Sequence, residues 1–334
     1  MATTLPLIDL SPLRTGTAAG AAPGAEAVAR LAADIDRACR RFGFFRVAGH
    51  GIAPQRRADL ERLTRAFFAQ PDDVKARIAM PRAGSAWRGW FPLGGELTSG
   101  RPDLKEGLYF GAELAADHPA VRAGRPLHGP NLFPDEPAAL RPAVLGWMAD
   151  MADLGELLLR LLAVGLGLEP EWFAATVAAE PTVLFRIFRY PPAPADEWGV
   201  GEHTDYGLLT ILAQDAHGGL EVRAPEGWIR VPADPDILVV NLGDMLDRMT
   251  EGRYRSTPHR VRNTSGADRL SFPCFVDPSW DAVCAPMPLA GTPPADDTSR
   301  RWDGASVRAW DGTYGEYLTA KVAKVFPHLG RHLA

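Results

Sequence analysis

Apolar residues along this chain repeat with two different periods, and the change falls near Thr182. In the first half, Val28, Leu31, Ile35, Ala38 and Phe42 recur every three or four residues, which predicts an amphipathic helix ending at Gly43. Leu60, Leu63 and Phe67 mark a second helix, stopped before Pro71. Leu140, Val144, Met148, Met151, Leu154, Leu158 and Leu161 extend the same spacing into a long scaffold helix over roughly 138–165. "LPLIDLSPL" reads as a short buried strand, 16–25 as a flexible Gly-Ala loop, and "GFFRVAGHGI" as a strand closing on a glycine turn. Residues 81–103, "PRAGSAWRGWFPLGGELTSGRPD", have no period at all. So long an aperiodic stretch inside a compact chain is expected to be a lid or binding loop, with 84–100 covering a site.

Beyond Thr182 come "TVLFRIFRYPP", "LLTILAQD", "GLEVRAPEGWIRVPA", "ILVVNLG" and "RLSFPCFVD", short β-rich runs separated by Gly, Pro and Asp. Runs this close together predict an antiparallel sandwich or barrel. The stretch 300–334 returns to a helical pattern, and no repeat or low-complexity tract is visible.

Composition narrows the class. The chain has 334 residues, 46% apolar and 23% charged, enough for one large domain or two modest ones with a buried core. A net charge of −5 argues against a nucleic-acid partner, which would call for a basic excess. No apolar run is long enough for a membrane span. "MATTLPLIDLSPLR" lacks the basic region and apolar stretch of a signal peptide. Cys39, Cys274 and Cys284 form no Cys-x-x-Cys pair, and an odd count fits a reduced compartment, so a cytoplasmic location is expected.

The chemistry concentrates in "GEHTDYGLLTIL", residues 201–212. If this segment is extended, His203 and Asp205 project from one strand face. Of the eight histidines, His259 in "TPHRVRN" is the best third ligand, because it follows the β-rich runs and precedes another strand. Two imidazoles and one carboxylate match the facial set of non-haem Fe(II) oxygenases, with one face of the octahedron open. The His-Glu-x-x-His and Pro-Cys-x-x-Cys signatures of zinc hydrolases and deaminases are absent, and a structural zinc would want four ligands. Further on, "RLSFPCF" again places two groups at i, i+2: Arg269 and Ser271. A guanidinium fork beside a hydroxyl suits a carboxylate. Together these imply an acidic co-substrate that chelates iron at one end and is gripped at the other.

The set "HTD" at 203–205, "PHRV" at 258–261 and "RLS" at 269–271 resembles the Fe(II)/2-oxoglutarate-dependent oxygenase superfamily, in its isopenicillin N synthase-like branch. "ACRRFGFFRVAGHGI" at 38–52 and "RYPP" at 189–192 look like the same branch, so the resemblance runs from about 5 to 280. It implies an α+β fold, a double-stranded β-helix (jelly-roll) core with flanking α-helices. It implies a non-haem dioxygenase region at 1–120, a helical scaffold at 121–180, the Fe(II)/2-oxoglutarate core at 181–285 and a C-terminal helical extension at 286–334, in one compact unit. His203, Asp205 and His259 would bind Fe(II); Arg269 and Ser271, with Tyr190, would bind the distal carboxylate of 2-oxoglutarate. Residues 186, 188 and 190 alternate onto one face, making Arg186 a further candidate for that co-substrate. Plant members often carry Asn where this chain has Phe188.

The implied reaction is oxidation of an unactivated C–H bond of a small organic substrate (hydroxylation, desaturation or cyclisation), consuming O₂ and releasing succinate and CO₂. An oxidase of the isopenicillin N synthase type, independent of 2-oxoglutarate, is the alternative, since an Arg-x-Ser pair can also hold a substrate's own carboxylate. Candidates for the substrate are Arg88, Trp90, Phe91, Tyr109 and Tyr206. The expected protein is a monomer, without membrane or nucleic-acid partners, acting in natural-product biosynthesis.

Overall fold

Gly43 ends the first long helix, Ala25–Phe42, where the spacing predicts. Its backbone is left-handed (φ 62°), and a Cβ there would lie 2.3 Å from the Arg255 carbonyl oxygen, so only glycine fits the turn into the next strand. The computed structural model describes residues 4–14, 24–98, 100–194 and 197–326. Most of the expected Gly-Ala loop, the end of the C-terminal stretch, His328 and His332 lie outside the described residues.

The strands, in chain order, are β1 (Leu7–Asp9), β2 (Phe44–Ala48), β3 (Gly89–Phe91), β4 (Leu97–Thr98), β5 (Arg101–Pro102), β6 (Glu106–Gly111), β7 (Pro181–Tyr190), β8 (Val200–His203), β9 (Leu209–Gln214), β10 (Leu220–Ala224), β11 (Gly227–Arg230), β12 (Leu238–Leu242), β13 (His259–Val261) and β14 (Arg269–Ser279). A large sheet runs β1-β2-β12-β9-β14-β7-β6-β3, and a smaller one runs β11-β10-β13-β8. Only the β1–β2 pair is parallel within the large sheet; the rest is antiparallel, the jelly-roll arrangement.

Alternation along β14 sets both layers. Arg269, Ser271, Pro273, Phe275 and Asp277 face a cavity between the sheets. Leu270, Phe272, Cys274 and Val276 are buried on the other side. There the long helix Leu140–Gly165 packs against β14, with Gly155 placed next to Val276. Leu154, Leu158 and Leu162 are buried on that helix, each stabilising the fold by roughly 1.5–3 kcal/mol. Helices Ala25–Phe42 and Pro54–Phe68 pack on it in turn.

The aperiodic segment 81–103 departs from a single loop. Residues 89–91 are fully buried and form β3, the edge strand of the large sheet, while β4 and β5 form a two-stranded hairpin. Glycine and proline suppressed the pattern; strand pairing with β6 overrides it. Of this segment Trp87 and the hairpin end, through Glu96, Leu97, Thr98 and Gly100, reach the cavity.

Candidate metal centre and co-substrate pocket

β8 ends at His203, and Asp205 lies just beyond it, in the connection to β9. The shared-face argument therefore holds only in outcome: the chain leaves the sheet after His203 and still returns the carboxylate to it. His203 Nε2 stands 3.9 Å from Asp205 Oδ1. His259 is the cross-strand partner of His203, and its Nε2 is 3.8 Å from the same oxygen. All three ligand atoms lie within 4.8 Å of one another, close enough for a single metal ion.

Each side chain is aimed by a second contact. His203 Nδ1 meets the Gly201 carbonyl at 2.8 Å, and His259 Nδ1 meets the Thr257 carbonyl at 3.2 Å. A carbonyl oxygen can only accept, so both rings carry their proton on Nδ1 and turn the Nε2 lone pair inward. Asp205 Oδ2 accepts from Thr210 Oγ1 at 2.5 Å and from Asn241 Nδ2 at 2.7 Å, which leaves Oδ1 for the imidazoles. Burial drives both histidines below their ordinary range, His259 to about 4, so they remain neutral ligands at physiological pH. Burial opposes ionisation of Asp205, but the facing imidazoles and the two donors outweigh it and hold the carboxyl below its usual value. Gly207 completes the connection: a Cβ there would lie 1.5 Å from Asp277 Oδ1.

The open side of the trio faces a cavity of about 400 Å³, of the size that holds small ligands. On its floor β14 and β7 pair Arg269 with Tyr190 and Ser271 with Phe188. Arg269 is completely buried; its guanidinium lies 4.8 Å from the Tyr190 ring centroid. Nε donates to the Gly218 carbonyl and Nη2 to Gln214 Oε1 at 3.1 Å, whereas Nη1 has no partner among the described residues. Ser271 Oγ is 3.4 Å from the Tyr190 hydroxyl. A buried cation with an idle N–H beside two hydroxyls is suited to an incoming carboxylate.

Tyr109 and Tyr206 line the cavity; Arg88 and Trp90 do not. Arg88 turns away to donate to the Ala86 and Leu127 carbonyls, and Trp90 Nε1 donates to Glu106 at 2.8 Å. Phe91 packs behind the wall, its ring 5.2 Å from Tyr109 and 6.3 Å from Phe188. Arg186 lines the cavity but stands with Tyr109 and Trp87 rather than with Tyr190 and Ser271.

Sequence reasoning missed Glu96 and Lys105. The Lys105 ammonium is buried, 2.9 Å from Glu96 and 2.8 Å from Asp103, and 4.5 Å from the Phe188 ring centroid. Burial pulls its pKa down, but the two carboxylates more than restore it, so the group is charged. The helix Tyr314–Val325 also contributes Leu318, Lys321 and Val325 to the cavity, and no local pattern announces this.

A donor set of this kind, fixed on a jelly-roll and open to a cavity, defines a mononuclear non-haem iron oxygenase. Residues 5–136 match the family model for the N-terminal region of non-haem dioxygenases in morphine synthesis, and 181–278 match that of the 2OG-Fe(II) oxygenase superfamily. The chain belongs to the 2OG-Fe(II) oxygenase superfamily. It is 44% identical over 327 residues to a probable iron/ascorbate oxidoreductase of Dictyostelium discoideum, covering 90% of each chain. It is 35% identical over 301 residues to the 2-oxoglutarate-dependent dioxygenase citB of Monascus ruber, covering 86% of this chain and 88% of that one. A full-length Neurospora crassa protein, solved in complex with α-ketoglutarate, superposes with a TM-score of 0.76 at 26% identity, over 96% of this chain and 95% of that one. The protein is accordingly an Fe(II)/2-oxoglutarate-dependent dioxygenase, with Fe(II), 2-oxoglutarate and O₂ as its cofactor and co-substrates. No helix among the described residues is long and apolar enough to cross a membrane.

Proposed function

We propose that His203, Asp205 and His259 hold the Fe(II), and that Arg269 holds the distal carboxylate of 2-oxoglutarate with Ser271 and Tyr190 beside it. Bound iron and 2-oxoglutarate supply the power to activate O₂ and oxidise an unactivated C–H bond of a small organic molecule, leaving succinate and CO₂. The observation that carries the assignment is the idle Nη1 of Arg269, buried on the same cavity floor toward which the three ligand atoms converge. Arg269 supplies charge and a planar fork, and Gln214 keeps that fork from rotating. Tyr190 covers one face of the guanidinium and, with Ser271, offers hydroxyls to the carboxylate's remaining lone pairs. Asn241 and Thr210 fix which oxygen of Asp205 faces inward. Trp87, Tyr109, Phe188 and Phe275 form an apolar wall that keeps bulk water from the reacting end.

The net charge of −5 supports the absence of a nucleic-acid partner, and the three unpaired cysteines support a reduced compartment such as the cytoplasm. The match of residues 5–136 to the model for dioxygenases in morphine synthesis supports a role in small-molecule, natural-product metabolism. The test is succinate production from 2-oxoglutarate by protein reconstituted anaerobically with Fe(II) and then given O₂. Succinate should require Fe(II) and should disappear in Asp205→Ala; a variant that still makes it at limiting Fe(II) refutes the ligand assignment.

A further inference from the structure

The cavity is lined by a second buried guanidinium, that of Arg186, which unlike Arg269 has its nitrogens occupied by neutral groups, the Tyr109 side chain among them. Arg186 lies on β7 four residues before Tyr190, roughly 13 Å along the strand at the usual rise. It is 4% exposed, and its Nη1 donates to the carbonyl oxygens of Phe110 at 3.1 Å and Phe185 at 3.2 Å. Its guanidinium carbon lies 3.7 Å from the Tyr109 ring centroid and 4.7 Å from that of Trp87. Among the described residues no carboxylate makes an ion pair with it. The two acids whose charges reach it are engaged elsewhere. Glu96 accepts from the Tyr109 hydroxyl at 2.5 Å and faces Lys105, and Asp277 accepts from the Tyr314 hydroxyl.

Arg88 adds a second positive charge behind it. That side chain is 1% exposed and donates to backbone carbonyls. Burial first, and then the nearness of Arg186, push it down to about 9, which leaves it protonated at neutral pH. Arg186 thus meets the cavity as a buried cation facing carbonyls and ring faces, with a second cation behind it and no carboxylate in contact with either. Ring faces offset part of that cost but do not neutralise the charge. An anion entering the cavity would.

We propose that Arg186 binds a carboxylate of the primary substrate, and that this substrate is an organic acid whose apolar body packs on Trp87, Tyr109 and Phe275. The proposal rests on the oxygenase reading above and names the substrate class for that site. Arg269 and Arg186 thus divide two acids between them: the first, flanked by hydroxyls, takes the co-substrate, and the second, flanked by aromatic rings, takes the substrate.

The probes are phenylacetate, 3-phenylpropionate, hexanoate and octanoate, each beside its primary amide. They are titrated calorimetrically into anaerobic protein holding Fe(II) and saturating 2-oxoglutarate. At least one acid should bind about tenfold or more tightly than its amide, the scale of a charge-assisted hydrogen bond. Arg186→Met should erase that gap while the separately measured 2-oxoglutarate affinity stays the same, and Arg186→Lys should keep part of the gap. Arg186→Gln reads the same effect if the Met variant does not fold. The proposal is overturned if no acid outbinds its amide, if the preference survives Arg186→Met or Arg186→Gln, or if those variants lose 2-oxoglutarate instead. Failure of wild type to bind 2-oxoglutarate at all, measured first, overturns the wider reading and this one with it.

Discussion

Replacing Arg269 with glutamine removes a buried positive charge and its planar fork but keeps most of the side-chain length. The guanidinium is wholly inaccessible, tethered by Gly218 and Gln214, with Nη1 left over. When a 2-oxoglutarate carboxylate meets it, the variant leaves that carboxylate buried without its counter-charge, a loss of roughly 3–5 kcal/mol. At ~1.4 kcal/mol per tenfold, even the lower figure weakens 2-oxoglutarate by about a hundredfold or more. The assay is calorimetric titration of 2-oxoglutarate into anaerobic Fe(II)-loaded protein, with Fe(II) affinity measured alongside and expected to hold. Arg269→Lys should recover only part of the loss, because an ammonium brings charge without the fork. If Arg269→Gln binds 2-oxoglutarate as wild type does, the clamp is misassigned. If it instead weakens the primary substrate, the 2-oxoglutarate-independent alternative gains.

Three further outcomes are expected. Asp205→Ala, which removes one of three clustered ligands, should abolish stoichiometric Fe(II) binding by equilibrium dialysis while thermal unfolding stays cooperative; retained binding would count against the site. Amide hydrogen exchange in the β4–β5 hairpin should slow when a substrate is added, whereas β3, buried in the large sheet, should change little; equal protection in both states argues against a lid. The Asp277 carboxyl is raised from 3.8 to about 7, mainly by burial, so its protonated form stabilises the fold. That contribution is complete below about 3.8 and is lost as pH rises through about 7, up to about 4 kcal/mol in all. Asp277→Asn cannot ionise, so its urea-unfolding stability relative to wild type should climb between those pH values; a constant difference would refute the assignment.

How much of this was readable from the chain depends on where the signal is stored. Helix Leu140–Gly165 and strand β14 were legible because one face of each is buried by many regularly spaced apolar groups. Arg269 and Ser271 could be paired because both sit inside one strand, where spacing alone fixes the face. His203 and Asp205 were paired for a partly mistaken reason, since the strand stops between them. β6 stayed hidden: "EGLYFG" is buried throughout, so it shows no alternation, and it opens on a glutamate that Lys75 and Arg189 neutralise and Trp90 hydrogen-bonds from elsewhere in the chain. Lys105 and Glu96 stayed hidden for the same reason, because each is tolerable only beside the other and their meeting is tertiary. Arg88 and Trp90 looked like site residues through composition, but β3 turns them into the fold's own hydrogen bonding.

The carbonyl groups that hold His203 and His259 have a consequence for which metal the protein carries. With both imidazoles already in the required tautomer and Asp205 already steered to one oxygen, the ligands form a preset template that any divalent ion of suitable size can enter. Nitrogen and oxygen donors of this kind bind Fe(II) less tightly than nickel, copper or zinc. Ligand geometry alone therefore does not select iron. Occupancy follows the metal supply during synthesis, and protein made in zinc-rich medium should emerge inactive, correctly folded, and recoverable by chelation followed by anaerobic iron.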